Sequence, residues 1–310
     1  MKIARYRSSA GPERLGIVTL ASGREWLLDV AKASAARGGP DTPATMMGLI
    51  EGGAAAMDAT YGLLDWAAQR QDPLWMDDPA SVQWLTPVPE KSMFCAGRNF
   101  GRHLLESKQG DSANAGKLHS DFPTGFIKLG RTLVPHKSQV KRPADVHCLD
   151  YEVEIALVLG KALDAHSDID PASAIFGYTI FNDLSAREWQ LREMHNGLLM
   201  LGKNFPGFGP IGPYILTADE VPDPTALVLW LKVNGELRQH ADCRDLIFGF
   251  AQLLAFWSRF GLVPGDLVST GTPEGVALHH KPNPQAWYLK PGDRVEAGVQ
   301  GIGVLETFIV

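Results

Sequence analysis

Cysteine is scarce in this chain, and the three present are scattered at Cys95, Cys148 and Cys243. No two have the spacing of a zinc pair or of a disulfide framework, which points to a reducing compartment. Long apolar runs are missing too. The opening Met1–Arg7 lacks the apolar core of a signal peptide, and no segment has the length to span a bilayer, so a cytoplasmic protein is expected with no membrane partner. No Lys/Arg-rich stretch occurs, and a net charge of −6 with a pI near 5.8 argues against nucleic acid. There is no Gly-x-Gly-x-x-Gly and no repeated βαβ spacing, which argues against a dinucleotide fold. Internal repeats and low-complexity tracts are absent.

What remains is a globular composition, 45% hydrophobic and 21% charged, in a chain of 310 residues able to bury a large core. Residues 1–40 hold short apolar runs separated by Gly and Ser, which predict a small sheet. Residues 44–70 predict helices at Thr45–Ile50 and Ala54–Ala68. Trp66, Trp75 and Trp84 nearby are expected in the core. Pro87-Val88-Pro89 marks a boundary, giving a small N-terminal α+β domain over 1–88 and a larger domain over 89–310. The larger part alternates short strands with turns, apart from an apolar helix at about Phe248 to Phe260.

The chemistry concentrates at Asp150-Tyr151-Glu152-Val153-Glu154, which runs on into Ile155–Gly160. As a strand, this stretch places 150, 152, 154, 156 and 158 on one face. Three carboxylates there, continued by Ala156 and Val158, are costly to bury without a cation. Oxygen-only donors suit Mg²⁺, Mn²⁺ or Ca²⁺. A solvated acidic strand face is the plainer alternative. A second stretch, Gly177–Gln190, predicts a strand ending in a turn or helix start at Asn182-Asp183. If the two strands are neighbours, Asp183 faces Glu152 and Glu154, a reasonable set for Mg²⁺.

These residues belong to an ordered series. Cys95-Ala96-Gly97-Arg98-Asn99-Phe100 leads to His103 and Glu106. The acidic strand, Gly177–Gln190, and Lys203-Asn204-Phe205 with Gly207–Pro213 follow. Val233–Gln239, Pro264-Gly265-Asp266, Thr270–Val276 and Leu289–Asp293 complete it. In this order they resemble the fumarylacetoacetate hydrolase family, in its short bacterial acylpyruvate hydrolase type. The resemblance implies an α+β, mostly β fold built on a mixed β-roll, assembled as a homodimer. It implies metal-dependent C–C bond cleavage in an acylpyruvate or other β-diketo acid, in catabolism of aromatic compounds or sugar acids. Some members instead decarboxylate oxaloacetate or isomerise and decarboxylate hydroxymuconate-type diacids. By position, Glu152, Glu154 and Asp183 match the metal ligands, with Mg²⁺ or Mn²⁺ expected and Ca²⁺ an alternative. His103 and Glu106 match the water-activating pair, and Lys203 the lysine facing substrate oxygens. Thr272 lies in the loop that touches the substrate carboxylate.

Further substrate contacts are expected from Arg98, Lys128, Tyr178, Arg187 and Gln190. Lys128 sits inside apolar Phe126–Leu129, where a carboxylate site or a strand edge must satisfy it. Arg187 alternatively holds a structural ion pair. The polar stretch 107–124 is a candidate lid or an ordinary surface excursion. His147, His279 and His280 lack companion ligand spacing and are expected to be structural or exposed. Departures from the family pattern occur at Phe100, Glu188, Pro206 and Ala277 and in a lengthened Leu278–Tyr288. They spare the metal set and bear on substrate identity. A non-enzymatic diacid binder on a retained fold is the remaining alternative.

Overall fold

The computed structural model describes residues 1–8, 11–21, 23–38, 42–70, 72–89, 91–108 and 121–310. The first third contains β1 (Lys2–Ser8), β2 (Glu13–Ala21), β3 (Arg24–Asp29), α1 (Val30–Arg37), α2 (Met46–Glu51), α3 (Gly53–Ala68), β4 (Met76–Asp77) and β5 (Val82–Trp84). Next come β6 (Met93–Gly97), α4 (Gly101–Lys108), β7 (Thr124–Lys128), β8 (Leu133–Val134), β9 (Ser138–Val140), β10 (Leu149–Asp150) and β11 (Val153–Leu159). They are followed by β12 (Ile175–Asn182), β13 (Ser185–Ala186), α5 (Arg187–His195), β14 (Gly209–Thr217), β15 (Val228–Val233) and β16 (Glu236–Asp242). The chain closes with α6 (Phe250–Trp257), β17 (Leu267–Ser269), β18 (Arg294–Val299) and β19 (Gly303–Ile309).

Among the described residues a twelve-stranded sheet runs β4-β3-β2-β1-β14-β12-β11-β17-β6-β7, with β5 on β1 and β8 on β14. A five-stranded sheet runs β16-β15-β18-β19-β9, and β10 pairs with β13. The large sheet is mixed: β11 is antiparallel to β12 and β17, whereas β17 is parallel to β6. This is the expected α+β, mostly β architecture. β1 bonds directly to β14, so strands from residues 1–88 continue the sheet that holds the acidic segment.

The strand at the centre explains the core. Every residue of β11 is buried, because sheet neighbours flank both edges and side chains cover both faces. Val153, Ile155, Leu157 and Leu159 enter one apolar cluster with the five-stranded sheet and α6. Ala156 and Val158 enter the other, with Phe181, Ile211 and residues of α2 and α3. The period-two alternation thus welds β11 between two packed layers. Thr45 caps α2 by accepting from the Gly48 N–H at 3.1 Å. Trp75 and Trp84 are buried as expected, and Trp66 is half-buried against Trp75. No described helix is long and apolar enough to cross a membrane.

One local expectation needs correction. The acidic stretch is not a continuous strand from 150: β10 ends at Asp150, and β11 starts at Val153. Side chains from elsewhere take the amides of the break. Glu152 N–H donates to Asn182 Oδ1 at 2.9 Å, and Val153 N–H to Gln239 Oε1 at 2.9 Å. Period-two reasoning therefore holds for Glu154, Ala156 and Val158, while Asp150 and Glu152 are aimed by the break.

Candidate active site

The antiparallel register of β11 and β12 pairs Val153 with Asn182, and Asp183 N–H donates to Glu152 O at 2.8 Å. Asp183 therefore lies beside Glu152 and Glu154. Donor oxygens of the three carboxylates all fall within 4.8 Å of one another, and all three residues are buried. Asp183 is not a helix cap, since α5 begins only at Arg187.

Buried cations surround this cluster. Lys203 Nζ reaches Glu152 Oε2 and Asp183 Oδ2, both at 2.6 Å. Lys128 Nζ pairs with Asp183 Oδ1 at 2.7 Å and donates to the carbonyls of Lys203 and Phe208 at 2.5 and 2.6 Å. Of the two sequence alternatives for Lys128, the site holds it. Arg187 bridges Asp150 at 2.7 Å and Glu152 at 2.6 Å, and donates to Gln190 Oε1 at 2.7 Å. Asp150 also accepts from the Ala277 and Leu278 amides, so it fastens the 277–279 turn to the site.

Four carboxylates thus share three cations, and the shortage falls on Glu154. Its Oε2 accepts from the Gly271 N–H at 3.1 Å, yet no Lys or Arg among the described residues pairs with it. Burial, then the charges of Asp183 and Glu152, push the Glu154 carboxyl well above the usual range. Two residues away the balance reverses: burial would raise Glu152, but Lys203, Arg187 and His103 hold it well below. Burial alone would depress the Lys203 ammonium, but Asp183 and Glu152 outweigh it and raise its pKa. A hard divalent ion fits this set, because its oxygen donors converge and one negative charge lacks a partner.

The second cluster stands on α4. His103 Nδ1 lies 3.5 Å from Glu106 Oε2, and both Glu106 oxygens accept from the Gly275 N–H at 3.2 Å. Burial would raise the Glu106 carboxyl, but the neighbouring His103 and the Gly275 amide lower it. Gly275 has φ of +96°, and a Cβ there would lie 2.2 Å from Arg238 O, so the loop needs glycine to aim its amide. His279, expected to be structural or exposed, is half-buried with its ring 5.6 Å from that of His103. Burial, then His103, pulls it down to about 4. Nothing in local spacing marked this histidine, because the fold alone brings it to α4.

Gln239 was also given no role by sequence reasoning. It is buried, accepts from Val153 N–H, and donates to Thr272 Oγ1 at 2.9 Å and Pro273 O at 3.0 Å. It thus ties the acidic segment to the Thr272 loop. Asn99 stitches in the same way, donating to Phe248 O and Thr270 O. Two expected contacts stand apart. Tyr178 packs in the apolar core at 5.8 Å from the Phe250 ring, and Arg98 is exposed at a φ of 53°. The candidate lid at 107–124 lies for the most part outside the described residues.

A family model for the fumarylacetoacetate hydrolase C-terminal region matches residues 92–310. The chain belongs to the fumarylacetoacetate hydrolase family. Among its relatives is the mitochondrial oxaloacetate tautomerase Fahd2a of Rattus norvegicus, 33% identical over 274 residues, covering 87% of this chain and 81% of that one. A fumarylacetoacetate hydrolase from Exiguobacterium antarcticum superposes with a TM-score of 0.75 at 28% identity, covering 100% and 99% of the two chains. Fumarylpyruvate hydrolase from Pseudomonas aeruginosa, solved with Mn²⁺ and pyruvate, superposes with a TM-score of 0.61 at 29% identity, covering 72% and 91%. The buried donor cluster of Glu152, Glu154 and Asp183 lies within the matched residues.

Proposed function

We propose that the chain is a metal-dependent hydrolase that splits a C–C bond of a 2,4-dioxo acid, giving pyruvate and a carboxylic acid. The observation that carries this reading is the His103–Glu106 pair at 3.5 Å, close enough to the carboxylate cluster for His103 to depress Glu152. A cluster that only tautomerised or decarboxylated its substrate would need no paired base for water. The Mn²⁺ and pyruvate in the P. aeruginosa hydrolase support the same reading.

A divalent ion on Glu152, Glu154 and Asp183, Mg²⁺ or Mn²⁺, would supply Lewis-acid polarisation of the substrate's carboxylate and 2-oxo oxygens. Glu106, fixed by the Gly275 amide, orients His103. His103 accepts a proton from water through an imidazole nitrogen as the water oxygen attacks the distal carbonyl carbon. The bond from that carbon to the methylene breaks, and its electron pair becomes the enolate of pyruvate. The Lys203 ammonium hydrogen-bonds the developing negative oxygen and supplies the proton that the methylene carbon takes up. Arg187 and Lys128 act on the site by holding Glu152 and Asp183 in place. Homodimeric assembly belongs to the same proposal and is checked by light scattering.

The likeness to an oxaloacetate tautomerase over 87% of the chain favours one second reading, enol–keto or decarboxylation chemistry on oxaloacetate. An acylpyruvate panel with oxaloacetate, in Mg²⁺, Mn²⁺ and chelator, decides between them. Pyruvate plus an acid, formed only with metal, supports the hydrolase. Carbon dioxide from oxaloacetate, or loss of its enol with no pyruvate, supports the second reading and defeats the first.

A further inference from the structure

His279 has no part in the hydrolase reading, yet it completes a donor set. The ligating atoms of His103, Glu106 and His279 all lie within 4.8 Å of one another. We propose that these three residues form a second cation site, chemically distinct from the carboxylate site and selective for a borderline transition ion such as Zn²⁺ or Co²⁺. Two imidazoles and one carboxylate suit such ions, whereas Mg²⁺ and Ca²⁺ prefer oxygen alone.

The geometry is close to what such an ion requires. A tetrahedral ion about 2 Å from each donor needs its donors about 3.4 Å apart. His103 Nδ1 and Glu106 Oε2 already stand at 3.5 Å. His103 Nδ1 is buried and has no hydrogen bond to any described group. The two rings lie at 57° to each other with their centroids 5.6 Å apart.

His279 is also delivered on a braced turn. On its N-terminal side the Ala277 and Leu278 amides are bound by Asp150 at 2.7 and 3.0 Å. On its other side His280 Nε2 meets Gly275 O at 3.2 Å, and the His280 ring stacks on Trp287 at 3.7 Å. Gly275 also holds Glu106. The same loop therefore carries His279 and braces Glu106, while α4 carries both His103 and Glu106. An ion here would take the His103–Glu106 pair out of use, so Zn²⁺ should inhibit an enzyme already loaded with Mg²⁺. That inhibition rests on the hydrolase reading; the binding does not.

The test titrates Co²⁺ into the full-length protein in saturating Mg²⁺ and follows visible absorption. One equivalent with the strong bands of four-coordinate Co²⁺ is expected, retained in Glu154→Gln. The bands should vanish in His279→Leu and His279→Asn, each of which should keep the wild-type Mg²⁺-induced thermal shift. Bands that survive both His279 variants, or that disappear in Glu154→Gln alone, overturn the second site. Zn²⁺ should cut Mg²⁺-supported turnover by at least about tenfold, within the span expected for losing a positioned base, and should not do so in His279→Asn. Co²⁺ bands that respond to His279 with no Zn²⁺ inhibition would keep the site and refute the role given to His103.

Discussion

The two donor clusters solve the same problem, holding ionisable groups together away from water, in opposite ways. The carboxylate cluster is mounted on β11 and the end of β12 and is laced with Lys128, Lys203 and Arg187. The histidine cluster is mounted on α4 and a turn, with a backbone amide as the support for Glu106 and, among the described residues, no lysine or arginine paired with it. The first is a lattice of charge, in which every group but Glu154 is fixed by its opposite. The second relies on imidazole rings and a hydrogen bond. Removing a paired member should accordingly collapse the first, whereas removing one from the second should merely silence it.

The largest effect should come from Lys203→Met. It strips Glu152 and Asp183 of a shared ammonium, and breaking a buried pair in this way costs about 3–5 kcal/mol. Urea unfolding of the metal-free protein measures it, and a loss under about 1 kcal/mol would show that the lattice does not carry stability. His103→Ala probes the other cluster. It should lower turnover by about 10²–10⁴-fold while leaving the Mg²⁺-induced thermal shift at its wild-type size. A variant that hydrolyses the substrate at the wild-type rate would end the role given to this histidine.

Glu154→Gln sharpens the contrast, because Glu154 is the carboxylate that lacks a cation. Its folded pKa is raised, so the fold favours the protonated acid. In the metal-free protein the resulting stability is greatest below the unfolded value of about 4.3 and is lost as pH rises towards the raised one. The glutamine should remove that decline, gaining on the order of 1–3 kcal/mol at neutral pH without metal, and should abolish stabilisation by Mg²⁺. Unfolding curves at several pH values, with and without Mg²⁺, test both halves; an unchanged Mg²⁺ response would move the ion elsewhere. The smallest effect concerns His136, which accepts from the Glu306 amide away from both clusters. Burial, then Lys137, pulls it down to about 4, so it should drain stability as pH falls from about 6.5 towards 4. His136→Gln should flatten that slope by on the order of 1 kcal/mol, and an identical slope would discount the group.

The carboxylates were legible because their chemistry is local. Acidic residues interleaved with Val, Ile and Leu, and an Asn-Asp at a strand end, announce themselves in sequence. Lys128 was half legible, as a charge inside an apolar run that a carboxylate site or a strand edge had to satisfy. Its two carbonyl acceptors come from residues 203 and 208, which no local pattern connects to it. The break at Tyr151-Glu152 was hidden for the same reason, since Asn182 and Gln239 relieve the amides that a continuous strand would have paired. His279 was the least visible. Its meaning depends on α4 docking against the 275–280 turn, a long-range contact that hydrophobic periodicity does not encode. Helices α2, α3 and α6 fell close to their expected places because amphipathic spacing and caps are local signals.

The pairing of β1 with β14 has a practical consequence for anyone wishing to miniaturise this protein. The family model begins at residue 92, which invites a cut there. Yet Lys2 and Ile3 lie in register with Leu216 and Ile215, on a strand whose every residue is buried. A cut would leave that end of β14 as a raw selvedge of amides, carbonyls and aliphatic side chains, the kind of border on which chains stitch themselves to one another. A trimmed version would need that hem re-sewn with lysine or proline before it stayed monodisperse.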